Sequence, residues 1–571
     1  MKKRSPLIAA CAAALVLFIP VARSADVTVN WSSTIAESPT YLFGINQWLG
    51  SDENVAKGTD YKNSLGTISP AIIRYHHGEQ VSPGSPYSWV NSNYTWNAAR
   101  VQTIISNGPA SATRLINIVK WPASMASGSQ LDDSKRSQFA SWCADLVSIV
   151  NANGRYVKYW EIFNEVDGAY SSSDIWKLGE AFKAARTAML AKDPTILVGG
   201  PAFLHPWDNA KMDAFHNTVK SNIDFVSFHS YTSSNTNDTI SYLYDKTDRF
   251  VSGPQNVRSS MNAKGVPSTV PLFLTEWNMY DSWNKDTQGQ MRSNQSAVYD
   301  ALSYKKMAEA KSVQAAFAFN DADWTYGKFS GSTVRASGHL MKLARRLLGG
   351  SIVSTQSNAS AIVPMAVITP ARRSVVLINR SNNLEYVNLN LGGWTPGSTD
   401  WTEHSLVNNG HSTSQKTWNG APQNVSVAAH SIKILEFVET SASTFFRIKN
   451  RWKGNFLRDG GSLVTYGVGT TDDYHWRRVP VSGTSYVRWL NRGTGDSMHA
   501  ENSSTQVQAT PGSASWHSAQ WTQESVGSSY QIMRNRHRNP SAIHVEQQNG
   551  SAQLGTIAND WHSAHWKPEA Q

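Results

Sequence analysis

The sequence predicts an α/β molecule in three parts: a (β/α)8 TIM barrel, then a small antiparallel β-sandwich, then a C-terminal β-trefoil. Three observations carry this reading. From Tyr41 to about Gly350, eight short apolar runs alternate with stretches of helical period, the pattern of β-α units around a parallel sheet. From Ser351 to Glu439 the helical period stops and short β-rich segments replace it. Beyond Phe445, Trp476, Trp521 and Trp566 recur 45 residues apart, an internal repeat.

Taken in order, Met1 to Ser24 has the features of a secretory signal. Lys2, Lys3 and Arg4 open it, Leu7 to Ile19 is apolar, and Ala22-Arg23-Ser24 offers a small-x-small site with cleavage near Ser24. The expected barrel occupies 25–350. Its strands are Tyr41–Asn46, Ala71–His76, Leu115–Lys120, Val157–Phe163, Ile196–Gly200, Phe225–His229, Leu272–Thr275 and Ala315–Asn320. Helical stretches such as Lys135–Asn151, Ser173–Lys192, Ser293–Lys311 and Ser337–Leu348 lie between or after them. A doubly wound sheet fits the same alternation and is the competing arrangement. The sandwich is expected over 351–440, with strands Ala361–Ile368, Ser374–Ile378, Tyr386–Leu391 and Ser431–Val438; Val27 to Trp31 offers it one more. A short linker at 440–444 leads to the trefoil at 445–571, because one copy of a 45-residue repeat cannot close a core and three can.

Composition narrows the class. With 571 residues, 40% hydrophobic, 16% charged and 22 Trp, the chain is too apolar and aromatic for disorder. Of its two cysteines only Cys143 lies outside the signal segment, so the mature chain is expected to form no internal disulfide. The formal charge of +10 includes four positive residues of the signal, leaving 48 against 42, or +6. The tail from Phe445 holds 13 positive and 9 negative residues, ten of the positive ones Arg, a residue suited to forked contacts with carboxylate or sulfate. Export and the absence of a dense Lys/Arg run disfavour nucleic acid. No run after the signal is long enough for a membrane helix, so no membrane partner is expected.

The chemistry sits at two strand ends. Strand four runs into Trp160-Glu161-Ile162-Phe163-Asn164-Glu165-Val166-Asp167, and strand seven into Leu274-Thr275-Glu276-Trp277-Asn278. Each puts a glutamate at the barrel face where active sites gather. Two carboxylates facing one another across that mouth meet the need of glycosidic cleavage: a protonated one for the leaving oxygen and an ionised one for the anomeric carbon. Alternation is expected to turn Glu161 elsewhere, and Asp167 lies past the Asn-Glu pair.

On these motifs, over roughly Tyr41 to Glu439, the chain resembles the clan A glycoside hydrolases, nearest to family 39, with families 30 and 86 sharing the same skeleton. The resemblance implies Glu165 as acid/base, Glu276 as nucleophile and Asn164 as the partner of the sugar 2-hydroxyl. It also implies that Arg74, at the end of strand two, orients the nucleophile and that Tyr231 donates to Glu276. His229 stands beside Tyr231 at the end of strand six, as scaffold or proton shuttle. The negative field of Glu276 is expected to raise the pKa of Glu165, with the carboxylates about 5 Å apart for a retaining mechanism. Asn46, Gln47, Trp48, Trp121 and Trp324 follow other strand ends and are candidate sugar contacts, since aromatic faces suit pyranose rings.

In the tail, the repeated Trp476, Trp521 and Trp566 suit the threefold core. Ligand candidates are residues that vary between copies: Trp452, Trp489, Trp516 and Trp561, with Arg458, His499, Glu501, His544 and Glu546. The tail resembles ricin-like trefoil carbohydrate-binding modules, although Ala519 and Ala564 stand where their Gln-x-Trp phrase has Gln. The expected whole is a secreted retaining hydrolase of a polysaccharide, held on polymer by its tail. The basic tail favours an acidic or sulfated polymer weakly. A polysaccharide lyase and a non-catalytic carbohydrate-binding protein are the other readings. No cofactor, metal or obligate protein partner is expected; His76-His77 has no third ligand at a suitable spacing.

Overall fold

The computed structural model describes residues 24–571 apart from 110–111, 153–156, 370–371, 397–399, 439–444, 482, 502–503, 511–515, 528 and 549. The expected signal segment up to residue 23 and the linker 440–444 fall outside the described residues.

All eight expected barrel strands form, as Tyr41–Gln47, Ile72–Tyr75, Thr113–Ile118, Tyr159–Ile162, Leu197–Phe203, Val226–Ser233, Leu272–Tyr280 and Ala315–Ala318. They are all parallel and close into a ring in sequence order, strand eight pairing with strand one. A closed ring excludes the doubly wound sheet. Inside its base, Tyr41, Ile72, Leu115, Tyr159, Phe225, Phe273, Ala315 and Phe317 pack as an apolar plug. Side chains two residues further along a strand share its inward face, so Arg74, Asn117 and Glu161 form a polar layer above the plug. The helices show why they cover the ring: Arg136–Asn151 buries Phe139, Cys143, Leu146, Val147 and Val150 at spacings of three and four.

Strand Ser24–Glu37 belongs to the second unit, which takes it from the expected 25–350 barrel. It pairs antiparallel with Ser351–Ser357 and parallel with Glu385–Asn390. Nine strands then form one continuous hydrogen-bonded path. Alternation gives this sheet two cores: Val375, Leu377, Leu435 and Phe437 face Val27 and Val29, while Val376, Ile378, Ile432 and Ile434 join the apolar core around the barrel.

The tail has three equivalent copies. Trp476, Trp521 and Trp566 are fully buried. Their indole N–H groups donate to the carbonyls of Leu457, Met498 and Ile543 at 3.1, 2.8 and 2.9 Å. Each tryptophan follows a short 3-10 turn. Asn450, Asn491 and Asn535 also repeat: each side chain donates across to the carbonyl of Ser563, Asp473 or Ser518 and accepts from backbone N–H groups two and three residues on. Each asparagine thus ties its own turn to a neighbouring copy.

Buried ion pairs join the units. Arg346 grips Glu436 through two 2.8 Å contacts, and Arg372 and His404 also reach that carboxylate. Arg372 donates to the Arg492 carbonyl of the tail at 2.6 Å, and Arg345 pairs with Asp496 at 2.7 Å.

Candidate active site

Backbone contacts set the position of the acid/base candidate. Past strand four, the N–H groups of Phe163 and Asn164 donate to Ile118 and Val119 of strand three, and that of Glu165 donates to Ala202 of strand five at 3.0 Å. Phe163 and Glu165 hold positive φ, 78° and 55°, which turns the chain over the barrel mouth. Gly200, with φ 146°, permits this close approach: a Cβ there would stand 2.4 Å from the Ile162 carbonyl. On strand seven, a register shift against strand six between Leu274 and Glu276 aligns Glu276 with His229.

The two glutamates converge. One oxygen of Glu165, one oxygen of Glu276 and a ring nitrogen of His229 all lie within 4.8 Å of one another. Glu276 is the more enclosed, its side chain 7% exposed against 32% for Glu165. Arg74 Nη1 at 2.9 Å and the Tyr231 hydroxyl at 2.7 Å donate to opposite oxygens of Glu276. His76 Nε2 lies 3.3 Å from the oxygen that Arg74 holds. Arg74 is fully buried, and its other donors reach Glu161 at 2.6 Å, Asn46 at 2.8 Å and Asn164 at 2.6 Å. One guanidinium therefore fixes nucleophile candidate, sugar-contact candidate and scaffold together. Burial disfavours its charge, yet Glu161 and Glu276 outweigh that and push its pKa up.

The expected rise in the Glu165 pKa is corrected. Burial does push it up, but the hydrogen bond and charge of His229, together with the charges of Arg74 and His205, leave it lowered. His229 Nδ1 sits 2.6 Å from Glu165 and 3.6 Å from Glu276. Burial disfavours the imidazolium, but Glu276 and Glu165 overcome this and raise its pKa. The 2.6 Å contact thus favours placing the pair's proton on His229 and ionising Glu165.

Several other expectations change. Glu161 points into the barrel beneath the pair, because it lies two residues after inward-facing Tyr159, and Asn117 Nδ2 holds it at 2.8 Å. Asn46 is fully buried, donating to the Thr275 carbonyl and accepting from Arg74, so it supports the site instead of touching sugar. Gln47 is likewise buried, on Asn107 at 2.6 Å. Trp121 is 5% exposed and packs edge-on against Phe163 and Tyr170, a core position. Trp48 is half-buried beside His77 and Phe319, and Trp324 is 65% exposed on the loop after strand eight.

The place of His76 beside Glu276, a residue read from the sequence only against metal binding, was missed, as were Asn117, Phe319 and exposed Trp283. Inward parity from Ile72 through Arg74 to His76, and from Leu115 to Asn117, could have found the first two. Asp321 organises the rim: fully buried, it accepts from the backbone of Trp48, Leu49 and Gly50 and from the Tyr61 hydroxyl, tying the loops after strands one and eight.

Among the tail candidates, Trp489 is fully buried and belongs to the core. Trp452 and Trp561 are exposed, and Trp516 is half-buried. His499 meets Trp516 edge-on at 5.8 Å, and His544 meets Trp561 the same way at 6.4 Å. Glu501 and Glu546 stand two residues beyond each histidine, half-buried and exposed respectively. In the first copy Arg458 stands in the histidine's place, over the Tyr474 ring and 3.3 Å from Asp473.

No family model matches the sequence, and no curated protein sequence matches it. Solved structures do match the fold. A β-xylosidase from Caulobacter crescentus CB15 aligns at 14% identity over 73% of this chain and 100% of its own, with a TM-score of 0.54. A GH51 α-L-arabinofuranosidase from Thermotoga petrophila RKU-1 aligns at 14% over 72% and 100%, with 0.53. The GH39 enzyme from Xanthomonas axonopodis pv. citri aligns at 12% over 73% and 97%, with 0.53. The molecule thus has the parallel eight-stranded barrel fold of clan A glycoside hydrolases.

Proposed function

We propose that the protein is a secreted retaining glycoside hydrolase that cleaves a polysaccharide by double displacement. The single observation that carries this is the approach of Glu165 and Glu276 within 4.8 Å at the ends of strands four and seven, near the ~5 to 5.5 Å typical of retaining pairs and short of the ~6.5 to 9.5 Å that leaves room for an inverting water. Glu276 attacks the anomeric carbon from its enclosed site, where Arg74 and Tyr231 hold it in one orientation. Burial and Glu276 push the Tyr231 hydroxyl well above its usual range, so it remains a donor. Glu165, on the open side, delivers the proton to the leaving oxygen. That proton comes to Glu165 from His229 across their 2.6 Å contact as the leaving group develops charge. Once the glycosyl-enzyme forms, Glu165 takes a proton from a water whose oxygen attacks the anomeric carbon, breaking its bond to Glu276 and restoring that carboxylate.

Asn164, held by Arg74 at 2.6 Å, presents its amide N–H groups to the sugar. Trp48 and Trp324 are the sugar-stacking aromatics. The tail is proposed to be a β-trefoil that holds the enzyme on polymer through Trp516 and Trp561 with their histidines and glutamates. Glu276→Ala is expected to lower turnover by at least ~10³-fold and to leave polymer binding intact. Unchanged turnover would refute the assignment.

A further inference from the structure

The second and third tail copies carry the same Trp-His-Glu set, yet their surroundings differ. Trp561 of the third copy is 39% exposed. Trp516 of the second instead lines a crevice of about 760 Å³ between the tail and the base of the barrel. The barrel wall is formed at the N-terminal ends of its strands, including Thr40, Pro271 and Gln314, on the far side from Glu165 and Glu276. Burial, helped by the ammonium of Lys158 at the start of strand four, holds His499 down to about 3, whereas at His544 the charge of Glu546 works against burial.

The crevice is basic. Arg258 and Lys311 enter from the barrel, Arg345 from the helix Ala336–Leu347, and Arg488 from the tail. Two acids also line it: Asp496 is tied to Arg345 at 2.7 Å, and Glu37 accepts from Ser351 at 2.7 Å. Four cations against two occupied acids leave an excess of positive charge around a tryptophan face. Guanidinium forks match carboxylate and sulfate, and the indole matches a pyranose C–H face.

We infer that this crevice is a second carbohydrate site, specific for an anionic pyranose chain, carboxylated or sulfated, and shared between the barrel base and the second tail copy. It deepens the proposed function by naming the class of polymer, and it rests on that reading only for the idea that the tail meets polysaccharide.

Calorimetry on the full chain carrying Glu276→Ala, which cannot consume a ligand, tests it with three probes: a galacturonate hexamer, a sulfated galactan hexamer and neutral xylohexaose. At least one acidic probe is expected to bind more tightly than xylohexaose, and the tighter one distinguishes carboxylate from sulfate. R258Q/K311Q and Trp516→Ala should each weaken it about tenfold. Affinity should also fall between ~50 and ~500 mM salt, a result readable on the parent chain if the double variant does not fold. Equal binding of the neutral probe, indifference to salt, or full affinity in a folded R258Q/K311Q chain overturns the inference. Those results leave the hydrolase reading standing, because turnover is measured separately on the unsubstituted chain.

Discussion

The barrel mouth and the tail are both built by repetition and use it in opposite ways. Eight β-α units supply the same backbone, but each strand end carries different chemistry: Arg74 from the second, Glu165 from the fourth, His229 and Tyr231 from the sixth, Glu276 from the seventh. Charges there are buried and mutually dependent. In the tail, the three copies keep one core, with the same indole-to-carbonyl and asparagine contacts, and differ at their rims. Repetition in the barrel thus places unlike groups around one point, whereas in the tail it offers similar groups at separate points. Removing a mouth residue should therefore disable the whole site, and removing a tail rim residue should subtract one contact.

Glu436, in the nine-stranded sheet that links barrel and tail, is expected to give the largest stability effect. Burial pushes its carboxyl up, but His404, Arg346 and Arg372 outweigh that and hold it down to about 2, from an ordinary 4.5. A shift of that size corresponds to about 3 kcal/mol. Because the folded value is the depressed one, this contribution is present above the ordinary carboxylate range and is lost as pH falls from about 4.5 toward 2. Glu436→Gln leaves Arg372 buried without its counter-charge and should cost about 3 kcal/mol near neutral pH, measured by denaturant unfolding, with the difference from the parent vanishing in acid.

His229→Gln comes next. In the parent chain the His229–Glu165 pair keeps its proton to a pH above the ordinary histidine value, because the imidazolium is the stabilised form. With glutamine, Glu165 must hold that proton alone, so the alkaline limb of kcat should move to lower pH, with kcat near neutrality falling about tenfold. An unmoved limb would assign the proton elsewhere. The smallest effect belongs to Trp561→Ala, which should weaken neutral-polymer binding by about 1 to 2 kcal/mol and leave turnover of a small soluble glycoside unchanged.

The eight barrel strands were legible because parallel strands buried on both faces read as short apolar runs. The paired glutamates were legible because they end two such runs. Inward parity was the signal overlooked: counted from Tyr159 it places Glu161 inside the barrel. The hairpin Asp400–Val407 and Gly410–Thr417 was missed because its second strand, GHSTSQKT, is polar throughout. Its turn was readable nonetheless, since Asn408 and Asn409 carry the positive φ of a two-residue hairpin loop before Gly410. Tryptophan exposure was not legible at all. Trp121 and Trp489 are buried and Trp324 and Trp283 are open, a difference set by neighbours distant in sequence. The Glu165 pKa was misjudged for a similar reason: Glu276 was visible as a neighbour, whereas the 2.6 Å approach of His229 depends on strand six lying between them.

The most direct test of the central claim is the anomeric configuration of the first product. Proton NMR during the opening minutes of hydrolysis, before mutarotation, should show the configuration of the cleaved bond retained, as the close carboxylates require. An inverted first product would contradict the account, because it would need a water where Glu165 and Glu276 approach within 4.8 Å.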